Sequence, residues 1–174
     1  MLGSAMTPLR RDAARPGHHL YVTGSLGGPA AALRALLEGG TPSPSHRERF
    51  ARPVARLAEA RWLASRGAAA AIDISDGLLG DLGHLATASG VSVETSLETV
   101  PRVANVTDED VLGGEEYELL VSAATPLPAE EFAQRFGIPL TRIGEVKKGR
   151  AGVRATGGGA ERIVTLPGYD HFSA

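Results

Sequence analysis

A chain of 174 residues with 43% hydrophobic and 22% charged residues suits one domain with a proper core. Its formal net charge of -2 advertises no nucleic-acid or acidic-membrane partner. The absence of cysteine excludes disulfides, thiol nucleophiles and cysteine zinc sites, and fits a reducing cytoplasm. No apolar run is long enough to span a membrane, and the N-terminal stretch MLGSAMTPLRRDAARPGHH lacks the apolar core of a signal peptide.

HLYVTG (19–24) reads as a short strand ending at glycine. Gly27-Gly28-Pro29 opens a helix with Leu33, Leu36 and Leu37 on one face, stopped by Gly39-Gly40. TPSPSHRER (41–49) is expected to be a polar loop. Pro53 is expected to start the next helix, with Val54, Leu57, Ala58 and Trp62 at helical spacing. Ala69 to Ile74 reads as a buried strand, and Leu78, Leu79, Leu82 and Leu85 mark a helix ending near Gly90. VSVETSL (91–97) alternates like a half-buried strand, and 102–112 reads as a polar loop. EYELLVSA (116–123) is expected to be a strand and PAEEFAQRFG (128–137) a short helix with a glycine stop. LTRIGEV (140–146), AGVRAT (151–156) and RIVTL (162–166) close the chain as strands, with the glycines at 157–159 as a hairpin turn. The order predicts an α+β fold, an α/β sandwich with a mixed β-sheet and a layer of helices.

The stretch AAAAIDISDGLLGDLGHL (69–86) concentrates chemistry where a strand hands over to a helix. Alternation puts Ile72 and Ile74 on one face of the strand and Asp73 and Ser75 on the other. A helix N-terminus suits phosphate, and aspartates tolerate phosphate only with a cation between them. Magnesium, a hard cation held by one or two carboxylates plus phosphate oxygens, is the natural choice. The plainer reading is that Ser75 or Asp76 caps the helix. Asp73 is harder to dismiss, since a carboxylate inside an apolar strand is costly unless paired or metal-bound.

A second acidic cluster is LGGEEYELL (112–120), in which Gly113-Gly114 permits an unusual backbone ahead of three carboxylates. On a strand, Glu116 and Glu118 would face away from Tyr117, and the plain reading is a solvated acidic face. In GYDHF (168–172) two aromatics flank an acid and a histidine, as either a wall for a planar ligand or a C-terminal anchor on the core. His171 and His84 read as structural or solvent-facing.

Together and in this order, IDISDGL, GGEEYELL and GYDHF resemble the C-terminal domain of the thiamine-monophosphate kinases, of the aminoimidazole ribonucleotide synthetase-related superfamily. ARPGHHLYVTGSLGGPAAAL resembles the start of that domain, and TRIGEV falls where the family has a similar strand. The resemblance covers residues 14 to 172. It implies a domain over 14–174, a tail or cloning remnant over 1–13, and the absence of the family's N-terminal ATP-binding domain. It also implies transfer of the γ-phosphoryl of ATP to thiamine monophosphate in the cytoplasm, by direct in-line transfer with several Mg2+ ions. By motif position, Asp73 and Asp76 are implied as magnesium ligands and Ser75 as an ATP contact. Glu115 is implied as the contact to the thiamine moiety and Tyr169 as the aromatic stacking on it. Glu116 stands where the family usually has aspartate. The implied partners are thiamine monophosphate, ATP, and a missing N-terminal half or a homodimer partner, with no nucleic acid and no membrane. The resemblance implies that the chain alone is a weak or inactive kinase, and the alternative is a non-catalytic thiamine-phosphate or nucleotide-binding module.

Overall fold

The computed structural model describes residues 8–157 and, for the backbone alone, 160–164. Among the described residues, seven strands form one sheet: β1 (His19–Thr23), β2 (Ala68–Asp73), β3 (Ser92–Ser96), β4 (Leu119–Ala123), β5 (Leu140–Lys147), β6 (Gly152–Gly157) and β7 (Ala160–Val164). Their order across the sheet is β2-β4-β1-β5-β3-β6-β7. The β3–β6 pair is parallel and every other pair is antiparallel. This is the mixed sheet with helices that the sequence predicts.

Six helices among the described residues accompany it: α1 (Gly28–Leu37), α2 (Pro44–Ala51), α3 (Leu57–Ser65), α4 (Leu78–Ser89), α5 (Asp108–Leu112) and α6 (Ala129–Phe136). They cover both faces. Strand alternation sends Leu20, Val22 and Leu120 to one side, where Leu78, Leu82 and Leu85 of α4 complete a fully buried cluster. Tyr21 and Val121 point to the other side, against Trp62 and Leu63 of α3 and Phe132 of α6. There the Trp62 and Phe132 rings meet edge-on, their centroids 5.6 Å apart, a favoured aromatic geometry. α4 ends where expected, with Gly90 left-handed at φ 66°, and α6 ends likewise at Gly137.

Three local expectations are corrected. Residues 41–49 are not all loop: Ser43 caps α2 by accepting the His46 N–H at 3.3 Å, and Pro44 takes the first helical position, where its missing N–H costs nothing. Residues 102–112 include α5, nucleated by a capping box between Thr107 and Asp110, in which each side chain satisfies the other residue's backbone N–H. α3 starts at Leu57 rather than Pro53, because Arg56 is pinned in the linker by ion pairs to Glu118 and Glu59. As a result Val54 and Leu57 are exposed. The spacing does not say which face of α1 is buried: α1 buries its small residues, Ala31 and Ala32, and leaves Leu33, Leu36 and Leu37 exposed. Small residues let the helix backbone approach its neighbours closely, so the wide leucine stripe ends on the outside.

Residues 10–14 lie against the domain: the Arg10 carbonyl accepts the Ala71 N–H at 3.3 Å, and Ala14 is fully buried. Among the described residues no helix is long and apolar enough to cross a membrane.

Candidate functional site

The site is built by two loops that continue the pairing of β2 with β4 beyond the strands. Ile74 donates its N–H to the Glu118 carbonyl at 2.9 Å, Tyr117 donates to Ile74 O at 2.9 Å, and Glu115 donates to Ser75 O at 2.9 Å. The backbones touch so closely that side chains are excluded. A Cβ on Gly114 would lie 2.3 Å from Ser75 O, and one on Gly77 would lie 2.4 Å from Leu112 O. Gly77 also has φ 104°, where L-residues are strained. This contact brings Ser75 and Asp76 beside Glu115.

The left-handed backbone at Glu115 (φ 63°) and Tyr117 (φ 52°) replaces the regular strand expected from residue 116 onward. Glu115 is therefore exposed, while Glu116 and Glu118 are buried, which overturns the solvated acidic face. Glu116 accepts the Gly27 N–H at the start of α1 and pairs with Arg49 of α2 at 2.9 Å. Glu118 accepts Thr23 Oγ1 at 2.7 Å and a forked pair from Arg56 at 3.0 and 2.6 Å. A carboxylate at a helix N-terminus meets unpaired N–H groups and a favourable dipole.

Burial nevertheless outweighs these contacts at Glu116 and pushes its carboxyl from 4.5 up to about 7, with the Glu118 charge adding to the rise. An acid whose folded pKa is raised is fully stabilising only below its unfolded pKa, and that stability is lost as pH rises through the folded value. We therefore expect unfolding stability to fall between pH 4.5 and 7 by on the order of 3 kcal/mol from this group. Urea unfolding across that range should show a flatter profile for Glu116→Gln than for the native chain; an equal slope would contradict the assignment.

Asp73 ends β2 and is exposed. The expectation of a costly buried carboxylate there is corrected, because β2 is an edge strand whose last residue reaches solvent. Asp76 is also exposed. Neither Ser75 nor Asp76 caps α4: Gly77 occupies the cap position with no side-chain bond. The capping work falls to Asp81, buried in the first turn, whose Oδ2 accepts both the Ser75 and Asp76 N–H groups at 3.0 Å. This leaves the Ser75 and Asp76 side chains to face outward. Burial raises the Asp81 carboxyl to about 6. His84 sits one turn further along α4, its Nε2 3.6 Å from Asp76 Oδ2, and Asp76, Asp81 and His84 place ligand atoms within 4.8 Å of one another.

Glu115 also borders a mostly apolar cavity of about 270 Å³ lined by Pro29, Leu33, Arg34, Leu37, Phe50 and Gly114. Two of the outward leucines of α1, Leu33 and Leu37, thus form a wall beside the carboxylate. Tyr169 and the rest of GYDHF lie outside the described residues. Sequence reasoning missed Asp81, Arg49 and Arg56. Only Asp81 carried a local signal, an acid in the first turn of a helix with no capping side chain of its own at Gly77.

Comparison with known proteins fits this geometry. Residues 15–156 match the family model of AIR synthase related protein, C-terminal domain. The thiamine-monophosphate kinase of Methanopyrus kandleri is 42% identical over 159 residues, 84% of this chain and 49% of that protein. The crystal structure of thiamine-monophosphate kinase from Stenotrophomonas maltophilia K279a superposes with a TM-score of 0.77 at 34% identity, over 87% of this chain and 54% of that one. A structure described as AaThiL complexed with AMPPCP and TMP superposes with a TM-score of 0.74 at 31% identity, over 94% and 54% of the two chains. The chain spans about half the length of the curated relatives it matches. From residue 15 to residue 156, this chain belongs to the family of AIR synthase related proteins, by their C-terminal domain.

Proposed function

We propose that this chain forms the substrate-side half of a thiamine-monophosphate kinase, which moves the γ-phosphoryl of ATP to thiamine monophosphate in the cytoplasm. The observation that carries the reading is the backbone apposition of 113–118 with 74–77, which sets Glu115 next to Ser75 and Asp76. In this reading Asp73 and Asp76 hold magnesium, Ser75 contacts ATP, Glu115 meets the thiamine moiety, and Tyr169 stacks on it. The donor set fits the ion: Asp73 and Asp76 are exposed carboxylates, Asp76 is relieved of capping by Asp81, and carboxylates are the oxygen ligands that magnesium takes. Bound magnesium supplies charge neutralisation on the phosphates. The chain's own contribution is to orient Ser75 and Glu115 on one rigid ladder, which matters most in a reaction governed by positioning. The mostly apolar cavity carries one carboxylate, Glu115, and one guanidinium, Arg34, whose charge is met by Asp110 at 2.7 Å; a planar ring with its cationic edge toward Glu115 suits that lining.

The catalytic unit would comprise this chain and a portion equivalent to the other half of its relatives, so the chain alone should turn over weakly or not at all. A phosphoryl-transfer assay with ATP, Mg2+ and thiamine monophosphate, on the chain alone and mixed with the N-terminal half of a related kinase, tests this. Turnover in the mixture supports the reading, and binding without turnover in either favours a non-catalytic module. Because Asp73 and Asp76 are exposed, alanine at either should leave the unfolding midpoint almost unchanged. It should weaken Mg2+ binding in the presence of ATP by roughly tenfold or more, and calorimetric titration reads this directly. Unaltered Mg2+ affinity in both variants would remove them as ligands.

A further inference from the structure

Tyr117 has no role in the reading above, yet the backbone presents it to the same side as Glu115. Left-handed φ values at 115 and 117 turn both side chains outward, while Glu116 between them is buried and anchored on the N-terminus of α1 and on Arg49. A β-strand would send 115 and 117 to one face without such torsions. Here the left-handed backbone also lets both N–H groups bond to Ser75 O and Ile74 O. The Tyr117 hydroxyl donates to Glu115 Oε2 at 2.9 Å.

We propose that Tyr117 is a positioning residue, whose phenol occupies one oxygen of Glu115 and leaves the other as a single oriented acceptor for a cationic or N–H-donating ring at the mouth of the Leu33–Leu37–Phe50 cavity. This rests on the assignment of Glu115 to the substrate. The physical logic is rotamer restriction. A free, exposed glutamate samples many conformations, and holding it lowers the ordering cost that a ligand would otherwise meet. The bond is charge-assisted, the stronger kind. The hydroxyl's environment agrees with the geometry: Glu115 holds the phenol above its ordinary pKa, and the charges of Asp73 and Asp76 add to the effect.

The test is a double-substitution cycle in this chain, titrated calorimetrically with thiamine monophosphate in Mg2+. Tyr117→Phe should weaken binding by roughly three- to tenfold, leave Mg2+ affinity within about twofold, and add nothing in a Glu115→Gln background. Separately, the phenolate absorbance of Tyr117, obtained by subtracting Tyr117→Phe, should titrate at lower pH once Glu115 is Gln. If Glu115→Gln weakens binding but Tyr117→Phe does not, or if the two effects add, the positioning role is overturned and the Glu115 assignment stands. A phenol titration unmoved by Glu115→Gln overturns it without any ligand. If the native chain does not bind thiamine monophosphate, or binds it equally with Glu115→Gln, the functional reading falls and this inference falls with it.

Discussion

Glu118→Ala should be among the most destabilising substitutions outside the apolar core, lowering unfolding stability by about 3–5 kcal/mol. The carboxylate is 1% exposed and is met by four donors: Thr23, the Arg56 fork and Arg49. Removing it leaves the Arg56 guanidinium, itself only 15% exposed in its side chain, without its main counter-charge. A buried charge without a partner costs far more than the intact pair contributes. The packing permits no easy relaxation, because Gly24 is held so close that a Cβ there would fall 2.3 Å from Glu118 Oε1. Arg56 also tethers the linker before α3, so the loss should spread to Trp62 and the second core cluster. Urea unfolding of Glu118→Ala checks this, and replacing Glu118 and Arg56 together by Leu and Met should cost clearly less than the single change. A loss under about 1 kcal/mol for Glu118→Ala would show that the network is not a structural anchor.

This network also marks where the sequence stopped being legible. Strands and helices with strong periodicity, such as 19–24, 78–90 and 128–137, are predicted nearly to the residue, since burial there follows from spacing within one element. The fate of Glu116 and Glu118 depends on Arg49 and Arg56, 67 and 62 positions away. No local pattern says that an acidic run will be buried by arginines from a distant linker, so a solvated face was the natural expectation. Two short helices escaped notice for the opposite reason. α2 and α5 are nucleated by caps rather than by an apolar stripe, and polar segments, the first of them proline-bearing, read as loops. The leucines of α1 share one face as their spacing predicts, but spacing alone does not say whether that face is buried, and here it is exposed. Of the site, Asp73, Ser75, Asp76 and Glu115 are legible as residue types around glycine turns. Their being brought together, and the relief of Ser75 and Asp76 by Asp81, are tertiary facts.

The second large effect is expected at Gly114. Alanine there would set its Cβ 2.3 Å from Ser75 O and 3.3 Å from Ser75 C. Both are backbone atoms of the turn that carries the proposed metal and phosphate contacts, and a backbone cannot swing aside as a side chain can. The two loops must part, which breaks the 2.9 Å bond from Glu115 N–H to Ser75 O and moves Glu115 away from Asp76. Overpacking of this kind costs on the order of 3 kcal/mol, and loss of the apposition should reduce both Mg2+ and thiamine monophosphate binding by roughly tenfold or more. Gly80→Ala is the control within α4: its Cβ would meet nothing nearer than Asp76 Cβ at 3.7 Å, an ordinary contact, and alanine favours a helix interior by about 0.5–1 kcal/mol over glycine. Gly80→Ala should therefore hold or raise the unfolding midpoint and keep ligand binding, while Gly114→Ala loses both. If Gly114→Ala keeps the native midpoint and binds both ligands normally, the close contact between the two loops is not what assembles the site, and the functional reading loses the observation that carries it.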